Sequence, residues 1–245
     1  MDDSISPRQQ KLLLSIISEF INTAEAVGSI SLQNKYRFKV SPATIRNEMA
    51  ELVLQGYLFQ KHSSGGRIPT TKGWRFFIES LGEKEWEDID VITKEQIKSE
   101  LNKIKFNKRN LIRQSLQYLS KLSGNAAIAL VDDEIYYSGL SEMIKIPEFQ
   151  EAENLENILK TLEDYYTLSE IFNIRSVDDD VQILVGDEIG KDELKDYAVI
   201  FSEIRIHGSQ SGYIAVIGPN RMKYNQVVPA VRYIADTIRY LVRGW

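Results

Sequence analysis

Apolar residues recur at helical spacing in the first part of the chain. Leu12, Leu13, Ile16, Ile17, Phe20 and Ile21 give one segment a broad apolar face. Ser6 and Pro7 mark its start, a serine able to cap free N–H groups and a proline whose missing N–H costs nothing at the first helical position. The same punctuation returns at Ser41-Pro42, followed by Ile45, Met49, Leu52 and Val53 at i, i+4, i+7 and i+8, with Gly56 placed to end the helix. Between the two, a short helix is predicted over Leu32 to Tyr36, capped by Ser29 or Ser31. Beyond Gly56 the period becomes two. Tyr57 to Gln60 and Ile68 to Thr70 read as short strands joined by the basic, glycine-containing turn Lys61 to Arg67. Pro69 fits only an edge strand. Three helices followed directly by such a hairpin predict a winged helix-turn-helix over residues 1–80.

Residues 81–123 read as a linker and connecting helix. Leu81 to Asp90, LGEKEWEDID, is acidic and suits a domain boundary. Thr93 and Gln96 have capping-box spacing and open a helical stretch toward Ser123. Positions 97, 101, 104, 108, 111, 115, 118 and 122 step by four and three, a heptad seam interrupted by Lys108 and Ser115. Two uses fit that seam: pairing two subunits, or covering the sheet that follows. Asn107 to Asn110 is a candidate break. From Gly124 short apolar strands appear at Ala126 to Val131, Ile135 to Tyr137, Val181 to Val185, Tyr197 to Phe201 and Tyr213 to Ile217. Helical segments over Asn154 to Phe172 and Tyr224 to Val242 alternate with them, so residues 124–245 are expected to form an α+β domain with a mostly antiparallel sheet.

Charge changes the picture most. The net charge of −5 over 245 residues does not suggest a nucleic-acid binder. Residues 1–78, however, carry 10 Lys+Arg against 6 Asp+Glu, and residues 79–245 carry 20 against 29. The positive charge therefore gathers on the helix-rich end, the footprint expected of a DNA-contacting module. Ala43, Thr44, Arg46 and Asn47, on the early turns of the helix after Ser41, are of the types that read base edges in a major groove. Ser-Pro before a helix and glycine after it are also common in any helical protein; the hairpin that follows favours the DNA reading. Lys35, Arg37 and Lys39 are phosphate-contact candidates, with a solvated charged loop as the alternative.

The stretches SPATIRNEMAELVLQGYL and HSSGGRIPTTKG resemble the DNA-binding domain of the heat-inducible transcription repressor HrcA family, whose members read close to SPATIRNEMAELEELGYL and HTSAGRIPTDKG. Toward the C-terminus, YYSGLSEMIKIPEF and SGYIAVIGPNRMKYNQVVPAVRYIADTI are similar to YIGGLSNLLEQPEF and GTIGVIGPTRMDYARVIPLVEYVADLL of the same family. The resemblance implies a GAF-like C-terminal domain. It implies a dimeric repressor on double-stranded DNA bearing an inverted-repeat operator, the CIRCE element, with activity maintained by the GroEL chaperonin. On that reading Ala43, Thr44, Arg46 and Asn47 contact bases, and Ser41 and Lys72 contact the backbone. Lys61, His62, Ser63 and Arg67 of the turn meet phosphates or the minor groove. A second reading keeps the DNA end but gives control to a small ligand in the GAF-like domain.

The chain departs from the family in length. In the full-length family roughly 90 to 100 residues, including sheet strands and an inserted dimerising domain, lie between the segment resembling Ala126 to Val131 and the GGLSN-like motif, where here only Asp132 to Tyr137 stands. The chain reads as a shortened member, and its dimer cannot be assumed to use that insert. Smaller departures are Gly65 for the wing's alanine and Ala24 for a glycine. With no cysteine and only His62 and His207, no thiolate or histidine metal site is expected, nor a disulfide framework. The acidic runs at Asp132 and Asp178 lack the loop spacing of a hard-metal site and read as turns. Hydrolase, kinase and dinucleotide motifs are missing, so no enzyme and no cofactor are expected. A polar N-terminus and the lack of long apolar runs predict a soluble, cytoplasmic protein with no membrane partner.

Overall fold

The computed structural model describes residues 5–36, 38–60, 62, 65–82, 86–174, 180–205 and 212–243. The chain divides into two compact units, Met1–Gly82 and Glu83–Trp245. None of the described helices is long and apolar enough to cross a membrane.

The first unit packs three helices, α1 (Pro7–Thr23), α2 (Ser29–Tyr36) and α3 (Pro42–Leu54), with a two-stranded antiparallel ribbon of β1 (Leu58–Phe59) and β2 (Ile68–Pro69), and ends in α4 (Thr71–Ser80). Ser6 caps α1 through a reciprocal box: its hydroxyl accepts the Gln9 N–H and the Gln9 side chain accepts the Ser6 N–H. Helix α2 starts earlier than expected, its Leu32 N–H reaching back to the Gly28 carbonyl, so neither Ser29 nor Ser31 is the capping residue. Gly56 closes α3 at φ 77°, with its own N–H on Val53 O and that of Tyr57 on Leu52 O. This double bond is the Schellman closure that a left-handed glycine permits. The core joins Leu12, Leu13, Ile16 and Ile17 of α1 to Leu32, Ile45, Met49, Leu52 and Trp74, all at most 2% exposed. Trp74 meets Phe20 at 6.0 Å, so the aromatic run of α4 serves packing. Thr70, expected to end a strand, instead caps α4 by accepting the Gly73 N–H.

The second unit contains a five-stranded antiparallel sheet in the order β4-β3-β7-β6-β5. Its strands are β3 (Ala126–Val131), β4 (Glu134–Ser138), β5 (Gln182–Val185), β6 (Tyr197–Ile204) and β7 (Gly212–Pro219). Helices α5 (Val91–Ile104), α6 (Lys108–Ser123) and α10 (Tyr224–Val242) supply one helical layer, with α6 and α10 against one face of the sheet. The other face packs with α8 (Ala152–Glu163) and α9 (Tyr165–Phe172), preceded by the short α7 (Leu140–Met143). Burial on both faces explains why β3 reads as an unbroken apolar run.

Two expected single helices are broken. The 93–123 stretch divides at Asn107, whose side chain accepts the Asn110 N–H and starts α6. Its seam residues Ile97, Leu101, Leu111 and Ser115 are at most 1% exposed within this unit, so the seam serves internal packing. The proposed Thr93–Gln96 box does not start α5; Asp90 does, accepting the Thr93 N–H. The 154–172 stretch breaks at Asp164, which caps α9 through Tyr166 N and holds the Thr167 hydroxyl.

Candidate nucleic-acid interface

Helix α3 presents two faces. Ile45, Met49 and Leu52 are fully buried, while Ser41, Ala43, Arg46 and Asn47 are exposed and Thr44 is half-buried. Ser41 accepts the Thr44 N–H at 3.1 Å and lies 3.0 Å from its hydroxyl, which fixes the first turn. Glu48 is 7% exposed and paired with Arg8 of α1. Gln9 similarly donates to Glu51 at 2.7 Å. These two links anchor the back of α3 to α1 and leave its early outer face open.

The turn between β1 and β2 is held by the Gly65 carbonyl, which accepts from Gln60 Nε2 and from Arg67 Nη1, each at 3.3 Å. His62 is exposed, and its carbonyl accepts the Gly65 N–H. Lys61 and Ser63 lie outside the described residues. Arg67 does not project into solvent as the sequence led us to expect; it is 9% exposed. The reason is backbone pairing: Arg67 and Val27 exchange N–H···O bonds of 2.9 Å, which seats this residue beside the start of α2. Gly66 permits the approach, because a Cβ there would stand 2.4 Å from the Ala26 carbonyl.

Arg46 and Arg67 line one cleft of about 350 Å³ together with Gly65, Gly66 and the first residues of α2. Burial, and after it the nearby Arg46 charge, hold the Arg67 guanidinium below its ordinary pKa. Arg46 of α3 and the turn before β2 therefore share a side of this unit. Lys72 is elsewhere. It donates to the Gln55 carbonyl at the C-terminal end of α3 and sits 4.3 Å from the Tyr57 ring centre, at the opposite end from Ser41. Lys35 is paired with Glu19 at 2.6 Å, a bond that raises its pKa. Sequence reasoning missed the start of α2 as a neighbour of Arg67, because the pairing of Val27 with Arg67 joins residues far apart in the chain.

The family model described as HrcA protein C terminal domain matches residues 71–228, more than half of the chain. The chain belongs to the HrcA family. A heat-inducible transcription repressor HrcA of Chloroflexus aggregans is 25% identical over 355 residues, covering 99% of this chain and 94% of the relative. That of Chloroflexus aurantiacus is 28% identical over 353 residues, covering 99% and 95%. Alignments of that span against a chain of 245 residues must open a long gap, so this HrcA member is the shorter partner. A crystal structure of a hypothetical protein at 2.2 Å resolution has the same fold, with TM-score 0.81 at 18% identity over 98% of this chain and 99% of that one.

Proposed function

We propose that this HrcA-family chain is a transcription repressor whose first unit is a winged helix and whose α3 reads base edges in a major groove. The observation that carries this reading is the outer face of α3: Ala43, Arg46 and Asn47 stand exposed, with Thr44 half-buried, behind a fixed first turn. Arg46 among them lines one cleft with the β1–β2 turn. Short side chains with one Arg and one Asn suit such contacts, Arg to guanine and Asn to adenine. Ser41 and His62 flank this face as backbone contacts. Lys72, expected beside Ser41 as a backbone contact, is tied to the far end of α3 and is left out of this set.

Dimeric binding follows from the two half-sites of an inverted repeat, one α3 to each. The family resemblance supplies the operator, a CIRCE-type repeat, and a GroEL-type chaperonin as the partner that sustains activity. The second unit is read as GAF-like, from its central antiparallel sheet between helical layers. A chaperonin shifts the active population only through its different affinity for active and inactive forms.

The test is a gel shift of the full chain on a CIRCE-type duplex and on a scrambled one, at a stated salt concentration. Wild type should prefer the operator. Arg46→Ala should lose about 1–3 kcal/mol on it and discriminate less at one base pair of each half-site. An Arg46→Ala chain with wild-type affinity and selectivity would remove α3 from the reading role.

A further inference from the structure

Strand β4 ends the sheet, paired on one side with β3 and on the other with no strand among the described residues. Its register fixes which backbone groups face outward. Val131 and Glu134 flank a two-residue turn and form the bonded pair that such a hairpin requires, so Glu134, Tyr136 and Ser138 turn their N–H and C=O groups toward β3. Those of Ile135 and Tyr137 point away from it. A cleft of about 450 Å³ borders this edge, lined by Ile135, Tyr136, Tyr137 and Ser138 and, from α6, by Arg113 and Gln117. Helix α6 follows β4 in the same direction: Arg109 pairs with Glu134 at 3.2 Å near its start, and Ser120 stands against Gly139 near its end. Arg113 therefore sits beside the middle of the strand. It is exposed and, unlike Lys108 and Arg109, has no carboxylate partner among the described residues. An open strand edge beside a helix is the arrangement in which an extended peptide adds a strand.

We propose that the β4 edge takes an extended, acidic segment of a partner protein as an added strand, with an Asp or Glu of that segment on Arg113. Ile135 and Tyr137 supply the backbone bonds. Glu134 and Tyr136 lie on the α6 side of the sheet, in contact with Arg109, so the partner's acid belongs on that side. Its alternate residues meet the other side, where Ile135 packs against the core and Tyr137 stands 50% exposed. A second copy of this chain fits less well. Pairing of two β4 edges about a two-fold at Tyr136 would bring both Arg113 side chains to the same axis, like charge against like. The proposal concerns the second unit alone and holds whether or not the first unit binds DNA.

The probe is a displayed library of random short peptides, selected on the full chain. Recovered peptides are then measured, free in solution, against wild type, Arg113→Glu and Tyr137→Pro, each variant checked for a folded melting curve. Proline at 137 removes an outward N–H and leaves the bonds to β3 in place, whereas Arg113→Glu reverses the charge without touching the strand. The expected peptides share an Asp or Glu flanked by β-branched residues at alternate positions, and each variant weakens them by about tenfold or more. Peptides that share no acid, or that bind Arg113→Glu as well as wild type, would overturn the proposal, as would the recovery of none. If Tyr137→Pro does not fold, N-methylation of a selected peptide tests the same backbone bonds: loss of binding at every second amide is expected, and equal binding at all of them is the opposing result. Sedimentation covers the other occupant. A wild-type dimer that Tyr137→Pro converts to a folded monomer would assign the edge to a second copy and overturn the peptide proposal.

Discussion

Ala24 closes α1 at φ 57°, in the left-handed region that glycine occupies without penalty and alanine does not. The family resemblance puts a glycine at this position, which looked a minor difference in the sequence because backbone angles are not written there. We expect Ala24→Gly to stabilise the first unit by about 1 kcal/mol, measured by urea unfolding. Tyr197 makes the opposite case. Its ring stacks on Phe149 at 5.3 Å and is 2% exposed, but its hydroxyl has no partner among the described residues. Burial pushes the phenol up to about 12. A pKa raised in the folded state leaves its stabilising contribution whole below the unfolded value near 10 and removes it as pH climbs toward 12. Tyr197→Phe should therefore unfold at the same or higher urea concentration at pH 7, and lose less than wild type between pH 9 and about 11.5. An unchanged alkaline loss would contradict this assignment. Helix punctuation such as Ser6, Ser41 and Gly56 was legible because caps act locally; the burial of Arg67 was not, since it depends on Val27, far away in the chain.

At the scale of elements, periodicity located α1, α3, α10 and β3 well because each has a continuous buried stripe or run. It joined α5 to α6 because a heptad seam continues across a short break without losing phase. The break is set by Asn107, and removing that cap in Asn107→Ala should cost about 1 kcal/mol, seen as a lower thermal midpoint of the full chain. No change in the midpoint would mean that packing alone divides the helices. Helix α10 carries Pro229, which has no N–H for the carbonyl of Asn225 one turn earlier. The Glu87 N–H takes that carbonyl at 2.9 Å, while its carboxylate accepts from Asn225 and Gln226. An apparent fault in a helix is thus a docking point for the strand of chain before α5, and nothing in the local pattern announced it.

Across the molecule, charge partition was the most informative property of the sequence. Positive charge collects in the unit that offers an open helix face, and acidic residues in the unit built around the sheet. The antiparallel α+β character of the second unit was readable from its short strands. The sheet order was not, because β4-β3-β7-β6-β5 depends on pairings between distant segments. The shorter length of this chain against its relatives raises the question of how a domain survives such a difference. At Asp132 and Asp133 both residues take positive φ, 52° and 61°, turning β3 directly into its neighbour β4. Lys108 grips the first aspartate and the Tyr165 hydroxyl the second. The end of β3 and the start of β4 stand side by side at this turn, which makes it a splice point: a segment can be grafted in there while the ladder on either side stays aligned. A protein engineer can use that turn of the hairpin to carry a passenger domain without rebuilding the hydrophobic interior around β3.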